Sequence, residues 1–163
     1  MPERWVINAS PLIVLAKIGQ IGLLTALADE IAIPDAVVRE INSGPSDDPA
    51  RNWLVGPKVP IVDITTLPPE LLAWDLGAGE TAVLSHALAN PGWTAVLDDN
   101  AARNCARSFN IPVKGTLAVV ILAKQQGLIS SAADLIRQLQ QHGHRIHDTI
   151  VRDALDKTVG EPW

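Results

Sequence analysis

The sequence predicts an α/β domain of three layers, α/β/α, with a central, mostly parallel five-stranded sheet and one domain spanning residues 1–163. Two features point there. Short apolar runs of β type alternate along the chain with segments of helical period, the pattern that builds parallel sheets. The runs are apolar on successive residues rather than on every second one, as strands are when helices cover both faces. A chain of 163 residues is long enough to bury a core without disulfides.

In chain order the strands are "WVIN", "EIAIP", "VPIVDI", "WTAVLD" and "IPVKG". The helical segments are "SPLIVLAKIG", "GLLTALAD", "DAVVREINSG", "AGETAVLSHALAN", "NAARNCARSF", "TLAVVILAKQQG" and "SSAADLIRQLQQHG". A short extended piece and a last helix fill "HRIHDTIVRDALDKTVG". Ser10-Pro11 offers an N-cap and a proline in the first turn, where a missing N–H costs nothing. Ser131 to Asp134 has the form of a capping box, and Gly44, Gly127 and Gly143 each follow a helical run where a left-handed residue is wanted. The turn-rich "NSGPSDDPARN", Asn42 to Asn52, reads as a surface loop.

Net charge is −5, with the acids scattered singly at the ends of apolar runs. A protein that holds nucleic acid by bulk charge shows a basic stripe and a high pI, so any such chemistry here works through local cations. The single cysteine, Cys105, has no partner in the chain, and the N-terminal residues do not combine a basic segment, a long apolar run and a cleavage site. The cytoplasm is the expected location. The most apolar segment, Leu12 to Ala28, is broken by Lys17, Gly19, Gln20 and Gly22, short of the ~20 apolar residues a membrane span requires, so no membrane association is expected.

Open parallel sheets build sites at the C-terminal ends of their strands. Asn8 and Ser10 close the first strand; Asp98 and Asp99 close "WTAVL". Helices add two more acids. Glu80 shares a stripe with Leu84 and Ala87, and Glu40 follows Ala36 and Val37 by four and three residues, so both border apolar faces. Converging carboxylates repel unless protons or cations intervene, and near pH 7 Mg²⁺ or Mn²⁺ is the usual solution. The chemistry implied is metal-dependent hydrolysis of a phosphodiester. Each residue also has a plain structural role open to it: Glu80 complements a helix dipole, Asp98 or Asp99 caps "NAARNCARSF", Glu40 is solvated, and Asn8 serves a turn. His142, His144 and His147 have a spacing that can bind a metal but, without cysteines or a nearby acid of matching geometry, read as a surface loop; His86 reads as a packed or partly exposed helix residue, and Trp5, Trp53, Trp74 and Trp93 as packing residues. No P-loop, G-x-G-x-x-G or G-x-S-x-G motif is present.

Five segments in order, "VINASPLIVLAKIG", "IPDAVVREI", "LGAGETAVLSHAL", "VLDDNAARNCA" and "IPVKGTLAVVILAKQQGLI", resemble PIN-domain proteins, and within them the PIN-like branch related to the VapC toxins of toxin–antitoxin pairs. The resemblance implies a three-layer fold and an Mg²⁺- or Mn²⁺-dependent ribonuclease with a cluster of acids. It places those acids on Glu40, Glu80 and Asp98, with Asp99 as an alternate, and puts an amide, Asn8, where most active relatives carry the first-strand acid. Asn8, Glu40, Glu80 and Asp98 would then hold the metal, while Ser10, Lys17, Arg103 and Lys114 meet substrate phosphate or, for the three cations, form structural ion pairs. It also implies an RNA substrate, a cognate antitoxin protein and a homodimer. Two rivals remain: a PIN-like module that binds nucleic acid or protein without cleaving, and a phosphatase or receiver-like protein built on "VLDD".

Overall fold

In the computed structural model, which describes residues 2–163, the five strands form one sheet in the order β3-β2-β1-β4-β5. They are β1 (Arg4–Ile7), β2 (Glu30–Pro34), β3 (Ile61–Val62), β4 (Trp93–Val96) and β5 (Val113–Lys114). Every pairing is parallel, with Val6 opposite Ala32 on one side and Ala95 on the other. The central strand is sealed on both faces: Trp5, Val6 and Ile7 expose nothing. That is the burial its uninterrupted apolar run predicts.

Ten helices link the strands among the described residues: α1 (Ala9–Lys17), α2 (Gly22–Leu27), α3 (Asp35–Asn42), α4 (Pro49–Leu54), α5 (Pro69–Leu72), α6 (Ala78–Ala89), α7 (Asn100–Ser108), α8 (Thr116–Gln125), α9 (Ala132–Gln141) and α10 (Asp148–Thr158). One group, α1, α3, α4, α5 and α6, packs together and against the sheet through α3 and α6; α8 gathers α2, α9 and α10 into a second. The three-layer expectation holds.

Local expectations differ at four places. The stretch read as a loop over Asn42 to Asn52 contains the start of α4, because Asp48 accepts from Ala50 N at 2.9 Å and Pro49 opens the first turn. A further single-turn helix, α5, follows Pro68. Helix α1 starts at Ala9, so the cap position is Asn8 and Ser10 already lies in the first turn; Pro11 is tolerated there because first-turn N–H groups have no intrahelical acceptor. Gly127 and Gly143 take positive φ after α8 and α9 as expected, whereas Gly44 does not.

The chain reverses direction of travel across the sheet at β1, which has β2 on one side and β4 on the other. The C-terminal ends of β1 and β4 therefore face one crevice, the usual location of a site in such sheets. No helix of the described residues is long and apolar enough to cross a membrane.

Candidate active site

Asn8 follows β1 directly. Its backbone N–H donates to Val96 O at 3.0 Å, tying the end of β1 to β4. Although it occupies the cap position of α1, its side chain makes no capping bond. The residue is 4% exposed, and Oδ1 has no hydrogen-bond partner among the described residues. A buried acceptor left unpaired costs about 1–3 kcal/mol, which a solvated or capping asparagine would not incur.

The space against that oxygen is kept open by a glycine. A Cβ at Gly79, in the first turn of α6, would stand 2.9 Å from Asn8 Oδ1 and 3.5 Å from Glu40 Oε1. Both oxygens thus border one gap. Glu40 reaches it from α3, whose Val37 and Ile41 are buried and set the helix's orientation. Glu80 stands in the first turn of α6, its Oε2 2.6 Å from the position of a Gly77 Cβ, so the carboxylate curls back over the helix start. Partial burial pushes the Glu40 carboxyl above its ordinary range, and the charge of Glu80 adds to the shift.

Across the crevice, Asp98 follows β4. Its Oδ1 accepts from Thr116 N at 2.8 Å and its Oδ2 from Thr116 Oγ1 at 2.7 Å, fixing the carboxylate at the start of α8. Ser10 Oγ lies 3.5 Å from the same Oδ2, at the limit of a hydrogen bond, and joins the two strand ends. Arg103 Nη1 and Asp98 Oδ1 stand 2.7 and 3.0 Å from where a Gly115 Cβ would be, so only glycine lets both approach there. Asp99 is used differently: its Oδ2 accepts from Ala102 N at 2.9 Å and caps α7.

A family model described as PIN domain matches residues 4–160. The chain belongs to the PIN domain family. Among solved structures, that of the PIN domain endonuclease Utp24 is similar with a TM-score of 0.52 at 12% identity, covering 70% of this chain and 85% of that one. This likeness concerns the fold. No curated protein matches the chain.

In this PIN domain the named residues fall into two sets. Asn8 and Glu40 share the Gly79 gap, with Glu80 close enough to act on Glu40; Asp98 and Ser10 pair at the other strand end. Among the described residues no three His, Cys, Asp or Glu side chains converge tightly enough to cage a metal by themselves. The donors near the Gly79 gap are hard oxygens from an amide and a carboxylate, one of them orphaned, and this chemistry suits Mg²⁺ or Mn²⁺. Lys17, Arg103 and Lys114 form no ion pair with any described carboxylate.

Two cavities flank these residues. One, of about 270 Å³, places Ser10, Lys17 and Glu40 beside His142 and His144. The other, of about 710 Å³, runs from Asp98 past Arg103 and Lys114 to Arg107, Arg145 and His147. His144 lines both. The histidines, expected in a surface loop, thus line the cavities beside the strand ends, and Arg107 and Arg145 join them without any signal in the sequence. Nothing in local spacing places the α9–α10 loop beside the ends of β1, β4 and β5, all of them far earlier in the chain.

Proposed function

We propose that this PIN domain is a divalent-metal-dependent endoribonuclease of the cytoplasm. The observation that carries this is the buried, unpartnered Asn8 Oδ1, held open by Gly79 beside Glu40. Asn8, Glu40, Glu80 and Asp98 would hold an Mg²⁺ or Mn²⁺ ion. Such an ion, when bound, acidifies water and offsets the charge of a phosphodiester.

The chain's own residues then have separable tasks. Thr116 holds the Asp98 carboxylate in one orientation through two short bonds. Burial and the charge of Glu80 disfavour the ionised form of Glu40, a cost that a bound cation would relieve. Ser10 Oγ donates to Asp98 and is exposed enough to turn toward a phosphate. Lys17 and Arg103, free of ion pairs among described residues, meet the RNA backbone on either side. Asn8 contributes an oxygen without charge, so the site takes metal less tightly than one built on four acids.

The VapC-like resemblance adds the biological setting: a toxin held by a cognate antitoxin, in a homodimer. Utp24 is itself named a PIN domain endonuclease, in keeping with nuclease chemistry on this fold. The uncharged Asn8 favours a second reading, a PIN module that binds nucleic acid or a protein partner without cutting. One experiment separates them. Purified protein is incubated with single-stranded RNA in Mn²⁺ or Mg²⁺, with and without chelator, beside Asp98→Asn and Glu40→Gln. Chelator-sensitive cleavage lost in both variants supports the enzyme; cleavage surviving both substitutions removes the site assignment; a wild type that binds but never cuts selects the module.

A further inference from the structure

We propose that the groove walled by α7, α8 and the α9–α10 loop is a binding track for single-stranded RNA, with Arg107 and Arg145 as phosphate contacts beyond the strand-end site. The proposal rests on the reading of RNA as substrate and extends it away from the reacting position.

The first observation is charge. The protein carries −5 overall, yet this groove collects Arg103, Arg107, Lys114 and Arg145 against a single acid, Asp98. None of the four cations forms an ion pair among the described residues, whereas Arg4, Arg39, Lys124, Arg137 and Lys157 do. Arg107 makes only a neutral bond to Asn104 Oδ1, at 3.0 Å, and is exposed. Unpaired guanidinium groups along one groove suit phosphate, which they meet with a planar fork of donors.

The second observation is the floor. Leu117, Ile121, Ile146 and Ile150 line the same groove as the cations, and Ile150 is 54% exposed. Apolar surface flanked by cations suits unstacked bases, which a single strand offers and a duplex does not, and the imidazoles of His144 and His147 add flat faces for stacking. The third is continuity. Asp98 and Arg103 open the groove at the strand ends, so a strand laid in it leads into the candidate site.

The test measures binding of a fluorescent single-stranded RNA dodecamer, in chelator so that no cleavage contributes. Arg107→Ala/Arg145→Ala is expected to weaken binding roughly tenfold and to lower the slope of log affinity against log salt by about 1.4, the loss of two single-strand phosphate contacts. Arg107→Lys/Arg145→Lys is expected to keep affinity within about threefold, since the charge remains. A distant pair, Arg51→Ala/Lys58→Ala, should leave both quantities unchanged. Unchanged affinity in the Arg107/Arg145 alanine variant, an equal loss in the distant pair, or an equal loss for a duplex of the same length overturns the track. Because cleavage is scored separately, a protein that never cuts yet loses binding here keeps the track and loses the nuclease reading.

Discussion

Gly79 and Asn8 are fitted to each other: the position a Cβ would take on residue 79 lies 2.9 Å from Asn8 Oδ1, closer than real side chains approach. Gly79→Ala therefore crowds the orphaned oxygen and brings a methyl group into van der Waals contact with Glu40. Alanine also favours the helix by about 1 kcal/mol, which offsets the crowding in the stability measured. The expected result is a thermal midpoint within a few degrees of wild type and an activity lower by roughly tenfold to a hundredfold, the scale of a small misplacement at a reacting centre. Calorimetry beside an RNA cleavage assay checks it. A large drop in stability with activity per folded molecule retained would mean that the glycine serves packing alone.

Glu40 is held above its ordinary value of 4.5 by partial burial and by the charge of Glu80. Its folded pKa exceeds its unfolded one, so the stability it adds is complete below the unfolded value and is lost as pH rises through the folded one. At neutral pH the ionised carboxylate thus opposes folding. Glu40→Gln should stabilise the protein at pH 7, with little gain near pH 3.5, while cleavage is lost. Mn²⁺ should raise the melting temperature of wild type, by up to about 2.7 kcal/mol in stability at a hundred times Kd, and do less for the variant. A variant no more stable than wild type at pH 7 would refute the charge conflict.

Thr116 is fully buried and gives both its N–H and its hydroxyl to Asp98. Thr116→Val keeps the volume but removes one of the two bonds, at a cost of about 1.5–3 kcal/mol for a charged acceptor. As a positioning residue it should act through Asp98, so kcat should fall, and Thr116→Ser, which keeps the hydroxyl, should recover most of it. Equal kcat for Val and Ser variants would leave Thr116 with a purely structural role.

The fold was legible because each strand is a continuous apolar run and each main helix keeps its period, features that depend on local sequence. Asn8 was legible by position, at a strand end, although its freedom from capping came only from the backbone, which starts α1 at Ala9 and leaves the side chain without a capping bond. Asp48-Pro49 is a cap followed by a first-turn proline, and that local signal was available for α4 but lay hidden inside a run of turn residues. Asp99 shows the opposite limit. Beside Asp98 in sequence, it faces α7 and caps it, and adjacency alone does not say which of two aspartates turns toward the crevice. Arg107 and Arg145 were out of reach because Arg107 lies on α7 and Arg145 between α9 and α10, and only the tertiary fold brings both to one groove.

The wall that carries Arg145 depends on how the C-terminal segment is fastened. Glu161 accepts from Ala132 N at 2.8 Å, Ala133 N at 3.2 Å and Ser131 Oγ at 2.9 Å, lying over the start of α9 with Lys124 at 3.8 Å. Burial alone would raise its pKa, but these bonds and the lysine charge outweigh burial and hold it below the ordinary value of 4.5. A depressed carboxylate contributes stability that is present above the unfolded pKa and lost as pH falls through the folded one. Glu161→Gln should therefore lower stability by about 1–2 kcal/mol at pH 7, a few degrees in Tm for a chain of this size, with the deficit shrinking below pH 4. Because α10 packs on α8 beside the groove, the same variant should also weaken single-stranded RNA binding in chelator, by less than the loss of Arg145 itself. A deficit that persists unchanged at pH 3 would show that the carboxylate's charge is not what fastens the segment.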